Sequence, residues 1–376
     1  MTITPLFSHG AVLGTGPDAS VPWHYGELLR EQRRLALGKA FVDLGQYELL
    51  TVTGPDTLTW LTTITSQDFS DFTPGASAEM TVLSPQGRVE HWAQAVGISH
   101  DSATGDCGPA GATGVLLILD HGARAGLRRY LEMMTFANRI TLTDRNDWRA
   151  LGATRPLAEL LPGVPLVAQF DQAWPEVAPG GVTYSEDPDT AEPWFIGIAA
   201  EQDLRDAIAS GSLTRSAVAG MSGAEALRVL SHRPRFATEV DERTIPHELD
   251  LLRTAVHTQK GCYRGQETVA KVLNLGQPPR RLVLLQLDGS QDLIVPAGAE
   301  VKLGSKSVGT VTTSVMHVDE GPVALAVIRR AVPLDAPLQV RFEIGEDELF
   351  VDAAQEPIVR EREHGQRPQT ANLRRR

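Results

Sequence analysis

The C-terminal third of the chain carries the pattern that most restricts its fold. From Arg281 onward, short apolar runs are separated by Gly- and Pro-containing turns at regular intervals. The runs occupy residues 282–287, 299–303, 308–315, 323–328, 338–344 and 349–352. Several short strands with regularly spaced turns are typical of a barrel or a sandwich. We therefore predict a separate β-barrel domain over residues 281–356.

The region in front of it, residues 23–280, mixes strands and helices irregularly. Periodicity predicts strands at 41–44, 48–52, 78–83, 88–96, 115–119, 140–142, 164–170 and 194–199. It predicts helices at 25–38, 56–66, 123–134, 148–161, 201–209, 221–230 and 266–273. Hairpins among these elements favour split β-α-β units over a doubly wound sheet. The expected fold class is α+β, with two interleaved ferredoxin-like subdomains in front of the barrel.

The two ends of the chain have a different composition. Residues 1–22 are rich in Gly, Pro and small polar residues, and we predict a loose segment there. Residues 357–376 contain six arginines and are predicted to form a disordered basic tail.

Overall charge and cysteine content limit the possible functions. The 35 basic and 47 acidic residues give a net charge of −12, which argues against broad nucleic-acid binding. Two cysteines, Cys107 and Cys262, are too few for a disulfide framework and fit a reducing compartment. No apolar run approaches the ~18 residues of a membrane span, and the N-terminus lacks a signal-peptide pattern. We expect a cytoplasmic protein that makes no membrane contact.

A dense motif, K-G-C-Y-R-G-Q-E, occupies residues 260–267. Cys262 follows Lys260 by two residues and precedes Arg264 by two, so in an extended segment the three side chains would share a face. A helix is predicted from Gln266, which places the cysteine near a helix N-terminus. Flanking cations and a helix N-terminus both favour the thiolate. The motif therefore predicts an activated thiol.

The alternative is that Cys262 is a small buried hydrophobic residue, as free cysteines often are. The neighbouring Gly261 and Gly265 favour close backbone approach over core packing.

The motif resembles the K-G-C-Y-x-G-Q-E signature of the YgfZ family. Its members are folate-binding proteins, similar in fold to the glycine-cleavage T-protein (aminomethyltransferase) and linked to iron–sulfur cluster assembly or repair. A softer similarity extends from about Asp43 to Arg330, including the C-terminal barrel. The resemblance implies a tetrahydrofolate or another reduced folate as cofactor, no permanent metal, and iron–sulfur client or assembly proteins as partners. The residues that would support Cys262 and Lys260 are Gly261, Tyr263, Arg264, Gly265, Gln266 and Glu267.

A reduced folate needs an apolar slot, a carboxylate at the amino-pyrimidine edge of the pterin, and cations for its glutamyl tail. Glu239 or Glu248 would supply the carboxylate and Arg228 a cation. Tyr263 would stack on the pterin. Two alternatives stay open, namely that Arg228 and one glutamate form a structural ion pair and that Tyr263 is a core residue.

Two departures from the aminomethyltransferases weigh against aminomethyl transfer. Their Gly-Gly-x-x-Asp-Asp segment corresponds here to residues 87–92, where Glu90 partly substitutes but His91 replaces the second aspartate. Their Gly-Tyr-Thr-Gly-Glu turn is only weakly similar to residues 184–187. The pterin carboxylate is therefore not assigned by the resemblance.

The leading hypothesis is a tetrahydrofolate-binding accessory protein for iron–sulfur cluster assembly or repair. Cys262 would act as a transient cluster ligand, a redox thiol or a one-carbon acceptor. Lys260 and Arg264 would stabilise its thiolate, and the loop would be fixed by hydrogen bonds from Gln266 and Glu267. The alternatives are a folate-dependent aminomethyltransferase, which leaves open whether the chain is an enzyme, and a protein related to tRNA modification that acts through its basic tail.

Overall fold

The computed structural model describes residues 4–99, 113–185, 191–291, 293–360 and 369–370. The strands are β1 (Val12–Leu13), β2 (Pro22–His24), β3 (Phe41–Asp43), β4 (Glu48–Thr53), β5 (Ser77–Leu83), β6 (Val89–Ser99), β7 (Thr113–Leu119), β8 (Thr141–Asp144), β9 (Trp148–Ala153), β10 (Leu166–Asp171), β11 (Val182–Thr183), β12 (Phe195–Ala200), β13 (Val218–Ala219), β14 (Arg280–Leu287), β15 (Glu300–Leu303), β16 (Lys306–His317), β17 (Gly321–Arg329), β18 (Leu338–Ile344), β19 (Asp347–Pro357) and β20 (Gln369–Thr370). The helices are α1 (Leu28–Ala36), α2 (Thr57–Ile64), α3 (Arg124–Met133), α4 (Leu157–Leu160), α5 (Glu201–Ala209), α6 (Met221–Leu230), α7 (Phe236–Glu239) and α8 (Gln266–Leu275).

Two five-stranded sheets form the α/β body. The first has the order β5-β6-β7-β4-β8 and the second β10-β12-β9-β3-β13. Side chains alternate between the faces of a strand, so Leu49 joins the core that both sheets share, whereas Leu50 and Val52 pack under α2 and α3. The sheets thus stack face to face, and helices cover the outer side of the first.

The C-terminal strands close into a barrel of order β14-β17-β16-β15-β18-β19, because β14 pairs with both β17 and β19. Val283 and Leu285 of β14 fill the barrel interior. Leu282 and Leu284 face the other way, into a core shared with the α/β body. The predicted fold class, α+β with a C-terminal barrel, is confirmed.

The predicted helix over 148–161 is wrong. Residues Trp148–Ala153 form β9, the central strand of the second sheet, and only Leu157–Leu160 are helical. All six residues of β9 are buried. A strand covered on both faces carries no alternation of apolar and polar residues, so its short apolar run cannot be distinguished from a helix by periodicity.

The segment predicted to be loose over 1–22 contacts the body at several points within residues 4–22. Leu6, Asp18 and Val21 are buried, and the Leu6 backbone N donates to Asp43 Oδ2 at 2.9 Å. Such long-range partners leave no local signal in the sequence.

The predicted disordered tail begins with residues that are packed. Ile358 and Val359 are buried, and β20 pairs with β11. Residues 361–368 and 371–376 lie outside the described residues, as do Cys107, Glu186 and Asp187. Within the described ranges, no helix is both long and apolar enough to cross a membrane.

Candidate functional site

A cavity, called the central cavity below, opens among the two sheets and the segment that follows α6. The cavity is lined by Tyr47, Glu79, Trp92, Ala93, Gln94, Ile118, Asp120, Trp194, Arg228, Arg233, Pro234, Arg235 and Phe236. The side chains come from segments far apart in the sequence, so the fold assembles this site.

Part of the cavity wall is a buried ion-pair network centred on Arg235. Its guanidinium donates two hydrogen bonds to Asp120, at 2.7 and 2.8 Å, and two to Asp18, both at 2.9 Å. All three side chains are buried. The loop that carries Arg235 is therefore fixed against β7 and the N-terminal segment.

Arg228 lines the cavity, but its donors are occupied. It donates to the carboxylate of Glu225 at 2.7 and 2.9 Å and to Glu239 at 2.9 Å. The remaining N–H groups reach the Arg233 carbonyl and Thr313 Oγ1. All five guanidinium donors are thus used. Of the two interpretations from sequence, the structural ion pair is the one present here, and no donor of Arg228 is left for a folate tail.

Glu239 and Glu248, the two carboxylates predicted to hold the pterin, lie outside the cavity lining. Glu239 accepts from Arg228, from Thr313 Oγ1 at 2.7 Å and from the Arg235 backbone N at 2.7 Å. Glu248 pairs with Arg280 of β14 at 2.8 Å. Both are buried structural groups, one supporting the cavity wall and the other joining the body to the barrel.

The carboxylate that faces the cavity without an arginine partner is Glu79, on β5. It is buried, and burial raises its pKa. It accepts hydrogen bonds from Thr254 Oγ1 and from Gln172 Nε2, the latter at 3.0 Å. An ionised carboxylate has about four acceptor sites, so acceptor capacity remains for a ligand.

Arg233 supplies a cation to the same cavity. Within the described part of the chain its guanidinium makes no ion pair, and it lies over the ring of Trp194 with 5.4 Å between Cζ and the ring centroid. Burial lowers its pKa to about 10, which still leaves it protonated at neutral pH. Glu79 and Arg233 therefore offer an acceptor and a set of donors to whatever enters.

The motif at 260–267 lies apart from this lining. Residues 258–265 form turns rather than a strand, so the prediction that Lys260, Cys262 and Arg264 share a strand face is wrong. Cys262 itself is exposed, not a core residue. It is not among the residues that line the central cavity.

Lys260 points to the C-terminal end of α2. Its Nζ donates to the carbonyl oxygens of Thr62, Thr65 and Gln67, the last two at 2.6 and 3.0 Å. Burial lowers its pKa to about 8. A cation at a helix C-terminus is favourable because the carbonyls there lack helical partners. Lys260 thus fastens the motif to α2, and its effect on the thiol stays a prediction.

Arg264 is held by Glu90 of β6, with 2.9 Å between Nη1 and Oε2, in an exposed ion pair. Glu90, a predicted folate contact, does not line the cavity. Within the described residues the side chains of Gln266 and Glu267 make no hydrogen bond, so the predicted loop-fixing role is not seen. The motif is held instead by the side chains of Lys260 and Arg264 and by the close backbone contact at Gly265.

Gly265 shows why the backbone fits so closely. Its φ is +84°, and a Cβ there would lie 2.6 Å from the Ser84 carbonyl oxygen. The expected close backbone approach occurs at Gly265, whereas a Cβ at Gly261 would meet open space. The start of α8 is thereby pressed onto the β5–β6 turn.

Tyr263 is buried in a core that also contains Leu83 and Trp92. It is a core residue, as the alternative interpretation held, and it does not reach the cavity. Trp92 contributes to both this core and the cavity wall, so it physically connects the motif to the cavity.

Sequence reasoning missed Tyr47, Glu79, Trp194 and Arg233. Each stands alone in its segment, with no spacing that marks it. One signal was present for Glu79, since a carboxylate interrupts the otherwise uncharged strand predicted over 78–83. A buried acid in a strand needs a partner or a function.

Across the described residues, no group of three or more His, Cys, Asp or Glu side chains is placed to hold a metal ion.

Comparison with known proteins shows the fold. No family model matches the chain. An uncharacterized protein of Haemophilus influenzae is 27% identical over 128 residues, which are 33% of this chain and 44% of that protein. The chain therefore matches less than half the length of this relative. The crystal structure of glycine cleavage system aminomethyltransferase T from Bartonella henselae superposes with a TM-score of 0.67 at 19% identity, covering 92% of this chain and 93% of that one.

Proposed function

We propose that the chain binds a reduced folate, tetrahydrofolate or a one-carbon derivative of it, in the central cavity. The observation that carries the proposal is that Glu79 and Arg233, neither of which makes an ion pair among the described residues, line the same cavity. The fold, which resembles that of an aminomethyltransferase T, and the motif at 260–267 support it.

The lining has the chemistry that a pterin requires. The amino group and the adjacent ring N–H of a pterin are donors, and Glu79 offers a carboxylate with free acceptor sites. Hydrogen bonds to the ionised carboxylate offset the penalty of its burial. The rings of Tyr47, Trp92 and Trp194 provide flat apolar surfaces for the bicyclic ring.

Arg233 complements this arrangement from the same cavity. Its donors suit the carbonyl oxygen of the pterin or a carboxylate of the glutamyl tail, because a guanidinium binds such oxygens in a bidentate manner. Arg228 and Arg235 act as supports, since their donors are already used within the protein.

We further propose an accessory role in iron–sulfur cluster assembly or repair, with Cys262 as the functional thiol. The exposure of Cys262 supports contact with another protein. Because iron–sulfur clusters are held by about four thiolate or equivalent ligands, one cysteine would only share a cluster with a client or assembly protein. Client proteins, rather than a resident metal, would then be the partners.

A second candidate is a folate-dependent aminomethyltransferase, which the likeness to the Bartonella henselae structure favours. It predicts turnover of a methylamine-bearing donor with tetrahydrofolate and a slower rate on Glu90 substitution. Against the second part, Glu90 is bound to Arg264 outside the cavity. A third candidate is a role related to tRNA modification, which would act through the basic tail.

The test is equilibrium binding of tetrahydrofolate by titration calorimetry. Glu79→Gln should weaken binding by about ten- to a hundredfold, because it removes hydrogen bonds to a charged acceptor. Glu90→Gln, which changes an exposed carboxylate on the neighbouring strand, and Cys262→Ser should bind as the unmodified chain does. Absence of binding, or equal binding by Glu79→Gln, would refute the folate proposal.

A further inference from the structure

A groove follows the outer edges of the two sheets of the α/β body. Strand β5 is an outermost strand of the first sheet and β10 of the second, and residues 77–79 and 170–171 of these strands line the groove together. We call it the edge groove. With the central cavity it shares a single lining residue, Glu79.

The edge of β5 has backbone groups without partners. In an antiparallel pair, alternate residues turn their N–H and C=O away from the neighbouring strand. Thr81 does so, because its N donates to Ser66 Oγ and its O accepts from the Ser66 N. Ser77 and Glu79 have the same orientation by the period of two. The Glu79 C=O accepts from Gln67 Nε2 at 2.9 Å. The Glu79 N–H and both backbone groups of Ser77 therefore remain without a partner among the described residues.

Strand β10 forms the facing wall of the groove. The Asp171 N donates to Ser77 Oγ at 3.1 Å, so the two strand edges meet there. The Gln172 N donates to the Trp194 O, on the side of β12. The C=O of Asp171 belongs to the same peptide plane and points the opposite way, where the described chain offers it no donor. A strand edge with free donors and acceptors is a template for a further strand.

The edge groove is acidic. No lysine or arginine lines it, whereas four carboxylates do, namely Asp68, Asp71, Glu79 and Asp171. None of the four makes an ion pair within the described part of the chain. Hydrogen bonds from Ser70, and more weakly the charges of His257 and Lys260, lower the pKa of Asp68. Asp71 and Asp171 are exposed, so their charges are open to a partner.

The wall of the edge groove continues into the motif at 260–267. Gln67 and His257 both line the groove. Lys260 Nζ donates to the Gln67 carbonyl oxygen at 3.0 Å, and the Gln259 N donates to His257 Nδ1 at 3.3 Å. Cys262 is exposed two residues after Lys260. A segment bound in the groove would therefore lie beside the thiol.

We propose that the edge groove binds an extended, basic segment of a partner protein, which adds a strand to β5. Backbone groups of the segment pair with Ser77 and Glu79, as in other cases of strand addition to a sheet edge. Its lysine or arginine side chains meet Asp71 and Asp171, and an acidic segment is repelled. Its small apolar side chains contact the apolar part of the lining, which includes Phe72.

The placement of this partner beside Cys262 gives the proposed function a recognition chemistry. That the partner is an iron–sulfur client or assembly protein rests on the proposed function. The binding of a basic strand does not, since it depends only on the free edge of β5 and on the carboxylates around it.

The experiment titrates the full chain with the capped pentapeptide K-V-K-V-K by calorimetry at about 50 mM salt, where charge pairs are weakly screened. The peptide should bind, and capped E-V-E-V-E should bind at least about tenfold more weakly, because like charges meet. Methyl groups on the three central amide nitrogens of K-V-K-V-K should also weaken binding at least about tenfold, because they remove the donors of the added strand.

Asp71→Asn combined with Asp171→Asn should weaken binding of K-V-K-V-K by about tenfold, since two exposed charge pairs are lost. Asp347→Asn, at an exposed aspartate of the barrel, is the matched control and should bind the peptide as the unmodified chain does. No binding of K-V-K-V-K, or equal binding of the basic and acidic peptides, would overturn the proposal. Equal binding of the methylated peptide, or equally tight binding of spermine, would overturn it too, because charge alone would then account for the affinity.

Tetrahydrofolate binding by the same double variant separates this inference from the proposed function. Neither Asp71 nor Asp171 lines the central cavity, so the double variant should bind the folate as the unmodified chain does. Folate binding without peptide binding would refute this inference alone. Peptide binding without folate binding would refute the folate site alone.

Discussion

The motif at 260–267 and the central cavity are built in opposite ways. The motif is eight consecutive residues, of which Cys262 is exposed and Tyr263 is buried, and it is held in place by Gly265 and Lys260. The cavity draws its lining from strands β5, β6 and β7, from the Trp194 region and from the segment after α6. A contiguous motif is visible in a sequence, but a site assembled by topology is not.

The two regions also handle charge differently. In the cavity wall, Arg235 is neutralised by two buried carboxylates, so removing one partner leaves charges without solvent or counter-ion. In the motif, Arg264 meets an exposed Glu90, and Lys260 meets uncharged carbonyls. We therefore expect large stability effects in the cavity wall and small ones in the motif.

The largest effect is expected for Arg235→Met. The substitution leaves Asp18 and Asp120 buried without their cation, and the free energy of unfolding should fall by about 3–5 kcal/mol. Urea denaturation measures this directly. Arg341→Met, which removes surface ion pairs on the barrel, is the control and should cost less than about 1 kcal/mol. Equal losses in the two variants would show that the cavity network contributes no more than a surface pair.

The next effect is a pH dependence of stability that originates at His91. Burial, with a smaller contribution from the charge of Arg264, lowers the pKa of His91 to about 4 from 6.5. Between these values the unfolded chain binds a proton that the folded chain does not. The free energy of unfolding should therefore decrease as the pH falls from 6.5 towards 4, by up to about 3 kcal/mol.

His91→Gln should remove this part of the pH dependence, as measured by urea denaturation at pH 7 and pH 5. His121→Gln, at an exposed position, should retain the dependence of the unmodified chain. If the free energy of unfolding falls equally between pH 7 and pH 5 in all three proteins, protonation of His91 does not contribute to the pH dependence.

A smaller effect is expected for Lys260→Met. Loss of the ammonium from three carbonyls at the end of α2 should cost about 1–2 kcal/mol. If Lys260 also favours the thiolate, alkylation of Cys262 by iodoacetamide at neutral pH should slow by about two- to tenfold. Lys271→Met, on the exposed part of α8, is the control. A lower stability with an unchanged alkylation profile over pH would assign Lys260 a purely structural role.

The smallest effect is expected for Glu90→Gln. Neutralising this exposed carboxylate frees the charge of Arg264, and alkylation of Cys262 should accelerate by about twofold with a stability change below about 1 kcal/mol. Glu267→Gln removes a nearby exposed carboxylate that has no partner among the described residues, and it serves as the reference. Slower alkylation in Glu90→Gln would mean that Arg264 does not act on the thiol.

The parts of the fold that follow from local pattern were predictable. Helix α6 was predicted over its full length, and the barrel strands follow from alternation and regular turns. Strand β9 was misread because burial on both faces removes the alternation that identifies a strand. The N-terminal segment was misread because Asp18 is held by Arg235, more than 200 residues away in sequence.

The candidate site was predictable only where its residues are consecutive. Cys262 and its neighbours could be identified, but the contacts of Lys260 and Arg264 depend on α2 and β6, which no spacing within the motif reveals. Arg228 was found as a polar residue on a helix, yet whether it serves a ligand or the protein depends on how many of its donors are already used.

Strand β14 belongs to two hydrophobic clusters at once. One of its faces is buried inside the barrel and the other in the core beneath Tyr263 and Val269, so both hydrophobic clusters depend on the same eight residues. Removing everything after residue 280 would strip an apolar surface from the remaining body, and the fragment should aggregate. Amide exchange in β14 should accordingly report global unfolding. The α/β body and the barrel should melt in a single cooperative transition.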